Sequence, residues 1–127
     1  MAQTIVPILR YRDARGAIAW LCACFGFVEL FSEPPSGEVV RHARLKLGTN
    51  EIMVGSVRPV DGIVSPEQLG AATQGLCVYV DDVDAHFAHA RAAGATIVMP
   101  PEDTPFGRTY QSCDSEGHPW TFSSPPV

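Results

Sequence analysis

Apolar and polar positions change their period several times along the chain, and each change predicts an element. Residues 4–11, Thr-Ile-Val-Pro-Ile-Leu-Arg-Tyr, are β-branched and apolar, which predicts a strand. Asp13 follows as a helix N-cap. Ala17, Trp20, Leu21 and Cys24 then recur at helical spacing as one apolar stripe, and Gly26 is placed to end that helix in a left-handed conformation. Residues 27–32 read as a strand, and Pro34-Pro35-Ser36-Gly37 as a turn. From 38 to 47 the pattern alternates, with Ala43, Leu45 and Leu47 on one face and Val40, His42, Arg44 and Lys46 on the other. Gly48-Thr49-Asn50 is a hairpin turn, and 51–57 is the return strand. Residues 58–72 have no clear period and read as a linker or flap.

The second half repeats the first. Residues 73–80 predict a strand, Asp81 or Asp82 caps a helix running to Ala93, and Gly94 ends it. Residues 95–99 predict the next strand. A final hairpin, 108–113 and 119–123, turns at Asp114-Ser115-Glu116-Gly117. In each half a Gly stands thirteen residues after an Asp (Asp13 to Gly26, Asp81 to Gly94) and precedes a hydrophobic strand. The chain is therefore read as one α+β domain over 1–127, built from two βαβββ modules at 1–57 and 73–127. One module alone leaves a sheet face uncovered, so two modules or two chains must meet, and the space between them is where a ligand would go.

Composition narrows the function classes. At 127 residues and 46% hydrophobic, the chain can build a core. Its formal net charge of −5 and its single lysine, Lys46, argue against nucleic acid, which needs a basic surface to displace counterions. No run approaches the roughly 18 apolar residues that span a bilayer. The first residues lack the basic, apolar and small-residue order of a secretory signal, so the expected location is the cytoplasm. Cys22, Cys24, Cys77 and Cys113 are accordingly expected to be reduced, buried small hydrophobes.

Five strings carry a resemblance. They are Val-Pro-Ile-Leu-Arg-Tyr-Arg-Asp (6–13), the following Ala-Ile-Ala-Trp and Phe-Gly-Phe, then Phe106-Gly107-Arg108-Thr109-Tyr110, and finally Asp114-Ser115-Glu116-Gly117-His118-Pro119-Trp120-Thr121-Phe122. In this order and spacing, over nearly the whole chain, they resemble the glyoxalase/bleomycin-resistance/dioxygenase (vicinal oxygen chelate) superfamily. The resemblance implies a curved, cup-shaped mixed sheet with helices outside. In the family's metal-dependent members, four cavity-facing positions carry His or Glu. Carried over one at a time, they fall on Val6, at or near Val54, on Gly75 and on Thr121. Val6, Val54 and Gly75 have no side-chain donor for a divalent ion, and Thr121 is a poor one. No metal or other cofactor is expected. His86 and His89 stand i, i+3 with no third ligand in view and read as polar residues on a solvent face. His118 reads as a local turn residue.

Strand parity then lists the side chains facing the cavity. With Val6 go Ile8 and Arg10; with Val54 goes Ile52; with Gly75 go Cys77 and Tyr79. His42 and Arg44 oppose the apolar face of their strand, Thr109 and Gln111 face in from the closing hairpin, and Thr121 joins them, while Tyr110, Trp120 and Phe122 pack under the helices. Arg10 or Arg44 could pair with an anion, and Gly75 would let a flat ligand approach the backbone. The first functional expectation is metal-independent sequestration of a hydrophobic or aromatic small molecule, an antibiotic or natural product. It follows the bleomycin-resistance branch, whose members are homodimers with ligand sites between subunits. The alternative is an isomerase, lyase or dioxygenase of the same fold, using a relocated metal or metal-free acid–base chemistry, with His42 and Tyr79 as the candidate acid–base pair. A third is a structural or regulatory dimer whose cavity is filled by Tyr79 and Met53.

Overall fold

A computed structural model describes residues 3–126. Its strands are β1 (Ile8–Tyr11), β2 (Val28–Glu33), β3 (His42–Leu47) and β4 (Asn50–Ser56) in the first half. The second half holds β5 (Leu76–Tyr79), β6 (Thr96–Thr104), β7 (Gly107–Cys113) and β8 (Pro119–Ser123). They form two four-stranded sheets of identical order, β1-β4-β3-β2 and β5-β8-β7-β6. In each, the first strand runs parallel to the last and the remaining pairs are antiparallel. The repeat seen in the sequence is thus a repeat of topology.

Helix α1 (Ala14–Phe25) begins at Asp13, whose side chain accepts from the Gly16 amide, and ends at Gly26 with φ +86°. That angle is open to glycine and strained for any residue with a Cβ. A second helix of one turn, α2 (Pro66–Leu69), interrupts the predicted linker; Ser65 and Gln68 form a capping box around it. A single 3-10 turn, Pro59–Asp61, lies just before. Helix α3 (Val83–Ala92) is capped by Asp82, as expected. Against the sequence expectation, β1 and β5 are shorter, and β6 runs on from Thr96 to Thr104 through two prolines, with two register shifts against β7. Pro100 and Pro101 are accommodated because β6 is an edge strand.

The core is shared between the halves. Leu9, Tyr11, Leu45 and Val54 from the first sheet, Leu21 and Phe25 from α1, and Tyr110, Trp120 and Phe122 from the second sheet are all buried in one cluster. Phe25 sits with its ring 4.7 Å from Phe122 and 5.3 Å from Trp120, so α1 packs on the sheet of the other half. Tyr110 and Phe122 stack at 5.0 Å, the packing layer predicted for the closing hairpin. Each sheet therefore has one face under the helices and one face left uncovered.

Candidate functional site

Register decides which side chains reach the uncovered faces. Ile8 pairs with Met53 and Arg10 with Gly55, while Leu9 pairs with Val54. Leu9 is buried and Ile8 exposed, so the uncovered side of β1 carries Ile8 and Arg10, as expected. Ile52 and Val54, predicted to face the cavity, are instead on the helix side at 6% and 1% exposure. Their place is taken by Glu51, Met53 and Gly55. The cause is the two-residue loop Gly48-Thr49, which pairs Leu47 with Asn50, Leu45 with Ile52 and Ala43 with Val54. Since strand period is two, a one-residue difference moves every side chain to the other face.

His42 and Arg44 lie on the uncovered side of the first sheet, as predicted. Val28 and Phe31, which the sequence reading left out, join them there, because Val28 pairs with Lys46 and Phe31 with Arg44. A bulge between Glu29 and Phe31 breaks the alternation that would otherwise have put Phe31 on the helix side. The Phe31 and His42 rings meet at 5.3 Å. The Arg44 guanidinium is paired with Glu51 at 2.8 Å.

On the second sheet, Cys77 pairs with Thr121 and Thr121 with Gln111, a row across the uncovered face. Tyr79 pairs with Ser123, which pairs with Thr109. Tyr79 is 59% exposed and Cys77 is exposed, so Cys77 departs from the expectation of a buried thiol. Thr109 is buried, and its hydroxyl is spent on the Gly107 carbonyl and on Ser123 Oγ. Gly75 has a structural reason: a Cβ there would stand 3.0 Å from the Pro119 carbonyl oxygen and 3.2 Å from its side chain.

Three adjoining cavities run along the seam between edge strands β1 and β5. One, of about 330 Å³, lies between Ile8 and Arg10 and the segment 62–74, with His118 at its end. A second, of about 240 Å³, shares Ile8, Gln74 and His118 with it and adds Gly75. A third, of about 730 Å³, lies beside Cys77, Tyr79 and Ile52. The seam thus gathers Ile8, Arg10, Gly75, Cys77, Tyr79 and the edge of Ile52. It does not gather His42 and Arg44, or Gln111 and Thr121, which lie on the two open faces, or Thr109, which is buried. Ile63, Val64 and Leu69 were missed because the connection has no period to read, and Gln74 because strand parity put it on the side opposite to Gly75 and Cys77.

The closing turn does more than turn. The Asp114 carboxylate, buried, accepts from Tyr11 Oη (2.6 Å), Trp120 Nε1 (3.0 Å) and the backbone amides of Glu116 and His118. Burial, followed by the charge of Asp114, pushes the Tyr11 hydroxyl pKa well up, so it remains a donor. Glu116 accepts the amides of Arg12 and Asp13 at 2.6 and 2.7 Å. His118 is not a local turn residue: Nε2 donates to the Arg10 carbonyl at 2.9 Å. His86 and His89 do not point to solvent alone. His86 Nε2 donates to the Phe25 carbonyl and its Nδ1 accepts from Tyr110 Oη; His89 Nε2 donates to the Ala23 carbonyl. Burial lowers the His86 pKa and so favours the neutral ring, whose Nδ1 accepts from the Tyr110 hydroxyl.

Metal chemistry finds no matching donors. Among the described residues no three His, Cys, Asp or Glu side chains converge. On β4 the residues facing the open side are Glu51, Met53 and Gly55, and the Glu51 carboxylate is paired with Arg44; the carried-over positions at Gly75 and Thr121 offer no imidazole or carboxylate.

The model of the Glyoxalase/Bleomycin resistance protein/Dioxygenase superfamily matches residues 3–122, almost the whole chain. The chain belongs to this superfamily. TioX from Micromonospora sp. ML1 is 38% identical, with a TM-score of 0.80 covering 97% of this chain and 98% of that one. An uncharacterized protein of Mycobacterium bovis is 34% identical over 124 residues, 94% of this chain and 81% of its own length. TnmS3 from Streptomyces sp. CB03234, an antibiotic binding protein, shares the fold at 22% identity and a TM-score of 0.73, covering 98% of each chain. The superfamily member described here therefore has the expected fold of paired βαβββ modules, as two mixed four-stranded sheets. No helix among its described residues is long and apolar enough to cross a membrane.

Proposed function

We propose that this superfamily member binds and sequesters a hydrophobic or aromatic small molecule without a metal and without chemical change. The observation that carries the reading is the uncovered face of each sheet. Ile8, Val28 and Phe31 on one and Tyr79 on the other are half or more exposed or close to it, a payload that a monomer seldom leaves to water. A few polar groups share these faces, His42 on the first sheet and Gln111 and Thr121 on the second, and would orient a ligand. TnmS3, which shares the fold, is described as an antibiotic binding protein, and that supports the choice of an antibiotic or natural product as ligand. A second copy of the chain would close the open faces into an enclosed site. The acid–base pair His42 and Tyr79 has less support, because the two stand on different sheets and neither shares a proton-transferring partner.

A thermal-shift screen of aromatic natural products, run with and without a chelator, tests this. The expected result is a rise in melting temperature with a subset of compounds, equal in both conditions, with the compound recovered intact by mass spectrometry. Conversion of the compound, or stabilisation that needs added divalent metal, would favour the enzyme reading.

A further inference from the structure

The strand register and the ion pairs together separate the two arginines that the sequence left equivalent. Arg44 is neutralised by Glu51. Arg12, Arg41, Arg58 and Arg108 are likewise paired with carboxylates. Arg10 is not: among the described residues its guanidinium has one protein acceptor, the Ser56 carbonyl, at 3.2 Å from Nη1. A guanidinium carries five N–H donors in a planar fork, so most of Arg10's are left for another partner.

The sequence also makes room for that fork. Gly55 lies opposite Arg10 in the ladder, and a Cβ there would stand 2.9 Å from Arg10 Nη1. The glycine lets the guanidinium lie down over the sheet at the wall of the cavity beneath segment 62–74. Of the residues lining that 330 Å³ cavity, Arg10 alone carries a permanent charge and none is acidic. In a chain of net charge −5, this is a cationic, carboxylate-free hollow with apolar walls from Ile8, Ile63, Val64 and Leu69.

We infer that this cavity is an anion subsite, in which Arg10 takes a carboxylate carried on the apolar ligand. The inference rests on the reading of the protein as a small-molecule binder and adds the ligand's charge. One guanidinium with no lysine beside it balances one negative charge, and its fork matches the two oxygens of a carboxylate. A doubly charged phosphate would keep an uncompensated charge against apolar walls.

Two matched probes test it, 2-naphthoate and its neutral analogue 2-naphthamide, titrated into the full chain while the amide signals of Ser65, Thr73 and Gln74 are followed by NMR. Both probes are expected to move these signals, with 2-naphthoate at least about tenfold tighter. Arg10→Gln should bring 2-naphthoate down to the affinity of 2-naphthamide, whose retained binding shows that the cavity is still folded. Arg10→Lys, which keeps charge without the fork, should keep part of the preference. Arg91→Gln, the same charge change on the exposed face of α3, should keep all of it. Equal affinity for the two probes, or 2-naphthoate binding unchanged in Arg10→Gln, overturns the subsite and leaves the binding-protein reading standing. No shift at any amide with either probe overturns both.

Discussion

At the scale of single residues, Asp114 joins β1 to the closing hairpin through four hydrogen bonds. Its one carboxylate receives a phenol from β1 and, from the closing hairpin, an indole and two backbone amides, with almost no water to replace them. Removing an acceptor from buried donors costs each its lost hydration, whereas removing one donor leaves the others in place. Asp114→Ala is therefore expected to lower the unfolding free energy by about 3 kcal/mol or more, and Tyr11→Phe by about 1 kcal/mol. Urea denaturation of the two variants checks this, and a larger loss for Tyr11→Phe would show that Asp114 is not the hub. The capping role of Asp114 was legible in the string Asp114-Ser115-Glu116-Gly117. Its bond to Tyr11 was not, because the two are 103 positions apart and no local pattern links them.

Among elements, the contact of α1 with α3 shows how helix ends are satisfied across the repeat. The last carbonyls of a helix have no partner within it. Here the Ala23 and Phe25 carbonyls of α1 accept from His89 and His86 of α3, and Cys24 Sγ in α1 lies 3.6 Å from the Ala93 carbonyl at the end of α3. The spacing of His86 and His89 was visible in the sequence, but what they face is set by the crossing of two helices. Burial lowers the His86 pKa, so the folded protein resists protonating it while the unfolded chain does not. The contribution of the neutral ring is present above the ordinary histidine range and is lost as pH falls through it, because there the unfolded state binds the extra proton. Urea midpoints measured at mildly alkaline and mildly acid pH should fall more for the native protein than for His86→Gln. An equal fall in both would assign the acid sensitivity to other groups.

For the whole molecule, the two halves meet through helices and the buried faces of their sheets; among the described residues the opposite faces are left open except at β1, which lies under segment 62–74. Val28 and Phe31 on the first sheet and Tyr79 on the second are exposed large apolar side chains of the kind that mark an interface. The expected state is a homodimer, seen as twice the chain mass by sedimentation velocity, and Phe31→Asp with Tyr79→Asp should shift it toward monomer. A native protein that sediments as a monomer at all concentrations would count against a site shared between two copies.

What the amino-acid order determined by itself was the strands and the long helix of each half and their duplication, though not α2 or the full length of β6. Asp13 and Gly26, with Asp82 and Gly94, fix helix ends through local hydrogen bonds and positive φ, and alternation in 42–47 fixes which side of β3 is apolar. These depend on neighbours a few positions away. The face of β4 was also within reach, since a two-residue loop at Gly48-Thr49 carries the parity of Leu45 over to Ile52. What only the tertiary structure decided was which charges are already spent and which surfaces are covered. Arg10 and Arg44 look alike in the sequence; the fold lays one across Gly55 at a cavity wall and ties the other to Glu51. The bulge that turns Phe31 outward, and the seam that sets residues 62–74 over β1, likewise arise from contacts distant in sequence. Such contacts depend on how twisted sheets and crossing helices share space, and no local period encodes them.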